Sequence, residues 1–389
     1  MTARRHAEIS GGGIAGLAVA TALAQRGWTV RVHERFPEVR EVGAGIALGR
    51  NGVEALTALG ALDEAVADGH AISSWTITDQ WGRTVQCGDV EERSMYSASR
   101  QSLQRALFSS ARREGAEVVV DSPVAGADDG ALVLEDGSRH AGDLVVGADG
   151  VGSRVRRSLQ ERGLRSRRVD LDVASLRYVI PRLAGDPVTE MPEWLHGNRR
   201  VGLLPLAGDR IAMYMYCPKS DTSGRALPID VENWSACFPH LRGVFERLPG
   251  EGTWLPVVET RNRSWVERST VLIGDAAYSM APNLGQGGCT ALHSAVTLAE
   301  AVDASEPVAQ ALQRWEAAER RYVDYVQTWS RRYSRMVSQC PGWGLRLRSL
   351  AFAALGRSAR LNSRFAGVDP GGAVAGDGAG PVSPQTSVD

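Results

Sequence analysis

Three glycines near the start of the chain, Gly11, Gly13 and Gly16, restrict its fold more than any other feature. They sit between an apolar run and a helical one. Eighteen residues after Gly16, a second apolar run (Thr29, Val30, Arg31, Val32, His33) ends at Glu34 and Arg35. A strand, a tight turn, a helix and a second strand ending in a carboxylate form the layout of a dinucleotide-binding unit. The first glycine permits the turn, the second lets backbone approach a pyrophosphate, and the third lets helix and sheet pack closely. The helix N-terminus offers N–H groups and a positive dipole end to phosphates. Glu34 can accept hydrogen bonds from ribose hydroxyls. The same stretch imitates a secretory leader, with Arg4 and Arg5 before the apolar run and Ala22, Leu23 and Ala24 as a cleavage site. Glycines at the head of the run, and a following strand in register with Glu34, argue against that reading.

The 389 residues are 43% hydrophobic, enough to bury a large core and to form two domains. A net charge of -1 gives no sign of a nucleic-acid partner. Cys87, Cys217, Cys237, Cys289 and Cys340 are scattered, which suits a reducing cytoplasm better than a disulfide framework. No apolar run approaches the roughly 20 residues of a membrane span. Seven dispersed histidines show no ligand spacing, so no metal is expected.

Along the chain, residues 51–67 read as one helix, with Val53, Leu56, Leu59 and Leu62 inward. Gly43 and Gly45 suggest backbone held against something flat. Residues 75–90 read as short strands with turns at Gly82 and Gly88. Arg100 and Gln101 lead into a helix. Residues 143–150 form a buried strand ending in an Asp149-Gly150 turn. Between 169 and 255 the pattern becomes alternating strands, at 174–180, 200–206 and 210–217. Val271, Leu272 and Ile273 return to a buried strand that ends at Gly274 and Asp275, before a glycine-rich turn at 283–288. Residues 312–337 form a long charged helix whose run 314–321 reads as a solvated face. Residues 345–361 are basic and amphipathic; a packed terminal helix is the first reading and a membrane-surface helix the second. From Gly367 onward Gly, Pro and Ser dominate, as in a disordered tail.

Three motifs thus stand in order: Gly11-x-Gly13-x-x-Gly16, then Gly147-Ala148-Asp149-Gly150, then Gly274-Asp275 with Pro282 and the glycines to Gly288. Arg100, Gln101, Leu103 and Gln104 form a fourth match. Together they resemble the single-component FAD-dependent aromatic hydroxylases, the group of para-hydroxybenzoate and salicylate hydroxylases. The resemblance implies an α/β fold: a Rossmann-like FAD-binding domain, an inserted β-rich substrate domain and C-terminal helices. The boundaries it suggests are 1–72, 97–168 and 256–302 for the FAD domain, 73–96 and 169–255 for the substrate domain, 303–362 for the helices and 363–389 for the tail. It assigns Gly11, Gly13, Gly16, Glu34 and Arg35 to the ADP half of FAD, Arg100 to the pyrophosphate or ribityl region, and Val124 to backbone contact with the adenine. Asp275 would hold the ribityl or pyrophosphate part. Gly285, Gly287 and Gly288 would aim N–H groups at the flavin pyrimidine edge. Asp149 matches a turn implicated in both FAD and nicotinamide binding, and Pro282 falls near the oxygen-reactive flavin carbon. Tyr278 stands where the family usually has His, and His293 lies in a helix that often carries an acidic pair.

The implied reaction is monooxygenation. NADH or NADPH reduces FAD, O2 adds to give a flavin C4a-hydroperoxide, and one oxygen atom passes to an electron-rich, aromatic or polycyclic small molecule. Alternation places Tyr214 and Tyr216 on one face of their strand and Met213 and Met215 on the other. Arg177, Tyr214 and Tyr216 are the candidate substrate contacts; ordinary sheet core is the competing reading, and His196 reads as structural. An epoxidase, a Baeyer–Villiger-type oxygenase, a non-oxygenating FAD oxidoreductase or a flavin-binding protein without turnover would leave the same fingerprint. A halogenase is set aside, because its Trp-x-Trp motif is absent and the sole lysine, Lys219, lies in the β-rich layer. The expected state is a monomeric or homodimeric cytoplasmic protein with no integral membrane segment.

Overall fold

The computed structural model describes residues 4–39, 44–303 and 306–356. The expectations at Gly43 and for the 363–389 tail lie outside the described residues. A six-stranded sheet runs Glu117–Val119, Thr29–His33, His6–Ser10, Leu144–Gly147, Thr270–Leu272, Val266–Glu267. Every neighbouring pair is parallel except the last. The first glycine turn therefore leaves the strand His6–Ser10, and the Asp149 and Asp275 turns leave the next two strands on one side of it. Three segments far apart in sequence end at the same sheet edge. In a parallel sheet that edge is where ligands bind, at the point where strand order reverses. The helix Ile14–Ala24 is buried all round, and the helices Arg100–Arg113 and Gln286–Val302 pack beside it.

A seven-stranded sheet forms the second layer: Leu255–Asn262, Ser166–Pro181, Arg210–Pro218, Arg199–Leu206, Glu190–His196, Ser74–Thr78, Thr84–Asp89. Alternation sorts its faces as the sequence suggests. Met213, Met215, Leu176 and Tyr178 pack outward under Trp234, Phe238 and Phe245. On the inner face, register sets Arg177 opposite Tyr214 and Ser175 opposite Tyr216, with Arg200 opposite Tyr216 on the next strand. The strand expected at 174–180 in fact starts at Ser166. Its polar, arginine-rich opening hides the pattern, and a register shift between Asp170 and Ala174 interrupts it.

Other expectations need correction. The helix expected at 51–67 is two, Arg50–Ala58 and Leu62–Ala65, because Gly60 turns left-handed between them (φ 61°). Gly82 turns as expected, but Gly88 lies within a strand. A Cβ there would stand 2.7 Å from the Trp75 indole nitrogen, so this glycine makes room for a ring. His196 is in a strand, edge-on to Phe238, and not in a loop.

The helix Val308–Ser338 has 31 residues, about 46 Å long, and reaches both sheets. Its 314–321 run is not simply solvated: Trp315, Glu316 and Glu319 are buried. Glu316 accepts from the Trp265 N–H (2.7 Å) and the Ser264 hydroxyl (2.8 Å), and Glu319 from the Ser294 hydroxyl (2.6 Å). Charge alone misreads such positions, because buried carboxylates are stable when each oxygen has a donor. No described helix is long and apolar enough to cross a membrane.

Three histidines dispersed in sequence converge on the buried Glu8. His33 Nε2 and His6 Nε2 each lie 2.7 Å from its oxygens, and His140 stacks on His33 at 4.9 Å. Glu8, His33 and His140 could present three ligand atoms to one metal ion. Arg31 Nη1, 3.4 Å from Glu8 and 3.3 Å from His140, already brings positive charge to the group. Burial pushes the Glu8 carboxyl up, but the hydrogen bonds from His33 and His6 outweigh it and hold the group below its ordinary value. A carboxyl depressed in the folded state contributes stability above its unfolded value and loses it as pH falls through the folded one. Glu8→Gln should therefore lower stability at pH 7 yet flatten its decline below about pH 4.5, as read by denaturant midpoints across pH.

Candidate active site

The carboxyl edge of the parallel sheet is built by close backbone approach. Gly11 has φ 105°, and a Cβ on it would stand 2.6 Å from the Ala148 carbonyl oxygen. A Cβ on Gly16 would overlap the Gly11 carbonyl oxygen, and one on Gly274 (φ 62°) would stand 2.8 Å from the Ala15 methyl. The first motif thus touches the second through Gly11 and the third through Ala15. Gly13, by contrast, faces open space, with nothing within 4 Å of a Cβ. It precedes the helix Ile14–Ala24, whose N-terminus no side chain caps. That is a cradle for an anionic group: free N–H donors with no side chain in the way.

Glu34 stands beside this turn. Its Oε2 accepts from the Gly12 N–H (2.7 Å) and its Oε1 from the Phe36 N–H (3.0 Å). Arg35 is exposed and stacks on Phe36 at 4.6 Å. Gln104, to which its motif assigns no role, is buried and donates to the Gly12 carbonyl at 3.0 Å. Arg100 opens the same helix, and its N–H donates to the Ala44 carbonyl at 3.2 Å. Val124 begins a small three-stranded sheet close to Glu34, because the Ser122 N–H donates to the Glu34 carbonyl (2.9 Å). The Val124 carbonyl already accepts from Arg154 (3.3 Å).

Asp149 acts as a helix cap. Its Oδ2 accepts from the Arg154 N–H (2.7 Å) and the Val155 N–H (3.2 Å), at the start of the helix Arg154–Glu161. Its Oδ1 is buried with no partner in the protein. Arg156, which sequence reasoning passed over, is buried and joins two motifs. It donates to the Val151 carbonyl (2.6 Å) beside Asp149 and to the Ala276 carbonyl (2.8 Å) beside Asp275. Burial pulls its pKa down, against Asp149. Its neighbours in a basic run, Arg154 and Arg157, disguised it; the signal was a position three residues after the capping Ser153. Asp275 itself is exposed between buried neighbours, at the first position of the short helix Asp275–Tyr278.

The glycine-rich turn follows. The Pro282 carbonyl accepts from the Gly285 N–H (2.9 Å), and Gly285 adopts φ 65° before the uncapped helix Gln286–Val302. Gly285 and Gly287 face open space, whereas a Cβ on Gly288 would stand 2.7 Å from Ile46. Asn51 fixes the turn by donating to Gln286 (3.1 Å) and to the Tyr322 hydroxyl (2.8 Å). A Cβ on Gly45 would lie 2.8 Å from Ala212 and from Leu204. The flat object it approaches is therefore the seven-stranded sheet. Tyr278 is buried against Trp265 (4.9 Å), and burial pushes its hydroxyl up. His293 lies 4.0 Å from Glu319, so a carboxylate arrives there from the long helix.

The inner face of the seven-stranded sheet closes the space. Arg200 and Glu193 form a buried ion pair there. Glu193 also accepts from the Tyr214 hydroxyl (3.0 Å) and the Tyr333 hydroxyl (3.3 Å), and burial pushes both phenols up, so both stay protonated donors. Arg200 reaches the Asn283 carbonyl at 3.4 Å, and its Nε and Nη1 are buried without a protein partner. The Tyr214 ring lies flat over Gly202, where any Cβ would overlap it. Arg177 opens to the cleft and donates to the Tyr216 hydroxyl at 3.4 Å. That hydroxyl, opposed by desolvation and aided by Asp275, raises its pKa. The structure thus groups Arg177, Tyr214 and Tyr216, and adds Arg200, Glu193 and Tyr333, which the sequence did not mark. Removing one partner of a buried ion pair leaves an uncompensated charge. Glu193→Leu should cost about 3–5 kcal/mol of folding free energy, read as a lowered denaturant midpoint. The double change with Arg200→Met should recover much of that loss.

A family model described as an FAD binding domain matches residues 6–320. The chain is 36% identical over 363 residues to a 2-heptyl-3-hydroxy-4(1H)-quinolone synthase of Mycobacteroides abscessus, covering 91% of this chain and 95% of that one. It is 30% identical over 345 residues to the aurachin C monooxygenase/isomerase of Stigmatella aurantiaca, covering 82% and 86%. A tetrameric form of 2-methyl-3-hydroxypyridine-5-carboxylic acid oxygenase superposes with TM-score 0.82 at 30% identity, covering 93% of this chain and 96% of that one.

Proposed function

The chain belongs to the FAD-dependent aromatic hydroxylase family and is an FAD-dependent monooxygenase, and from that premise we propose that it oxygenates a nitrogen heteroaromatic of the 4-quinolone type, with NADH or NADPH as reductant. The observation that carries the substrate class is the polar group of Arg177, Tyr214, Tyr216 and Arg200 on the inner sheet face, set against the 282–288 turn with Leu204 and Ala212 as apolar neighbours. A ring ketone or phenol oxygen needs a few convergent donors within an apolar slot. The name of the quinolone synthase relative points to the same ring chemistry.

The protein groups fit FAD. Gly13 and the helix Ile14–Ala24 would take the pyrophosphate, and Glu34 the adenosine ribose, while Asp275 would face the middle of the cofactor and Asp149 would hold its turn in place. The N–H groups at 285–288 would face the pyrimidine edge. When bound, FAD supplies electron transfer and oxygen activation. The chain's own residues supply position and charge. Arg177 would donate to the substrate's ring oxygen and favour its ionised form, whose adjacent carbon is a better nucleophile than that of the neutral ring. Tyr216 holds Arg177 in that orientation. Tyr214 is kept protonated by burial beside Glu193, so it orients without serving as a base. Leu204, Ala212 and Ile46 keep water from the reacting face.

Arg177→Ala should reduce kcat/KM for a 2-alkyl-4(1H)-quinolone about 10- to 100-fold, the loss expected of one charge-assisted hydrogen bond. Bound flavin should be unchanged. The readout is substrate-stimulated NADH or NADPH oxidation beside the flavin absorbance. Stimulation by simple phenols but not by quinolones would refute the substrate class.

A further inference from the structure

The C-terminal helix is buried on one side only. Helix Leu345–Gly356 sets Arg348, Ser349 and Phe352 against the seven-stranded sheet and the long helix. On the opposite stripe Trp343 is 81% exposed and Leu347 and Leu350 are each 61% exposed. Ala354 is exposed too. Positions 347, 350 and 354 recur at helical spacing, so they share one face, and Trp343 stands in the 3-10 turn Gly342–Gly344 that leads into the helix. Nearby, Trp81 is 42% exposed, with the guanidinium groups of Arg83 and Arg346 over its ring at 4.8 Å and 6.0 Å. Single exposed leucines are ordinary; a tryptophan and leucine stripe with nothing against it among the described residues is not.

Charge identifies the occupant. The chain as a whole carries -1, yet from Asp324 to Asp369 there is no intervening acidic residue and there are eight arginines: 331, 332, 335, 346, 348, 357, 360 and 364. Arg332, Arg335 and Arg346 are exposed, and among the described residues none of the three is in an ion pair. A second copy of the chain meeting this face symmetrically would set those arginines against their own duplicates. An anionic lipid surface complements both features: tryptophan and leucine enter the headgroup boundary, and arginines remain at the phosphates.

We propose that this helix, with Trp343, Leu347, Leu350 and Trp81 as its apolar contact and Arg346 and Arg83 beside them, docks the enzyme on an anionic bilayer. The contact is peripheral and reversible, since the helix lies in the plane of the surface and crosses nothing. Its consequence for the reaction, access to an alkyl-bearing substrate dissolved in lipid, rests on the quinolone reading. Docking itself does not.

The test is co-sedimentation of the full-length, FAD-loaded protein with vesicles of phosphatidylcholine alone or mixed with phosphatidylglycerol. Binding to the mixed vesicles should be at least about tenfold tighter than to neutral ones and should weaken steeply with salt. Arg346→Gln should weaken it about fivefold, the share of one arginine near the surface. Leu347→Glu with Leu350→Glu should abolish it without loss of bound flavin. If that pair does not fold, Trp343→Ala is expected to weaken binding several-fold. Absence of binding by the wild-type protein would overturn the proposal, as would equal binding to neutral and anionic vesicles. It would equally fail if Leu347→Glu with Leu350→Glu dissolved a concentration-dependent dimer while the wild-type protein ignored both vesicles.

Discussion

The structure depends on the absence of side chains at one sheet edge. Three parallel strands end side by side, and their turns must touch. Gly11 meets the Ala148 carbonyl, Gly16 meets the Gly11 carbonyl, and Gly274 meets Ala15. At each contact a methyl group has no space, and Gly11 and Gly274 also require left-handed backbone. The result is an edge of exposed N–H groups and short turns that a phosphate and a ribose can approach. Arg156 then locks the second turn to the third by two carbonyl hydrogen bonds. Because it pairs with carbonyls rather than a carboxylate, it adds a buried positive charge between the Asp149 and Asp275 turns.

The second layer is tied to the first by polar contacts as well as by packing. Glu193 joins two strands of the sheet to Tyr333 of the long helix, and Arg200 joins them to the turn at Asn283. Gln327 of the same helix donates to the Thr260 and Ser279 carbonyls. A network of this kind is stable only when its members are all present. It fixes the spacing between the glycine turn and the sheet face. The open position of Arg177 is where the proposed flat substrate would join the network.

Much of this was legible in the sequence because backbone demands leave glycines behind. The three motifs, their order and the sorting of Tyr214 from Met213 all follow from spacing and alternation. The parts that were missed have a common cause. Arg200, Glu193, Glu316 and Glu319 are charged residues that become buried only when distant strands and helices supply partners, and a charged letter reads as surface. His6, His33 and His140 met around Glu8 for the same reason: sheet order, which spacing does not reveal, set them together. Gly60 and Gly88 show the other limit. One glycine broke a helix and the other made room for a ring, and only the tertiary neighbours distinguish these uses.

The proposed monooxygenation sets FAD at the edge of Gly11, Asp149 and Asp275, with a heteroaromatic ring receiving oxygen beside it. It is tested most directly by turnover of a 2-alkyl-4(1H)-quinolone with NADH or NADPH under dioxygen labelled with the heavy isotope. Incorporation of a single labelled oxygen atom into the ring is the expected result. Reductant consumed with only hydrogen peroxide formed, or oxygen in the product drawn from water, would contradict it.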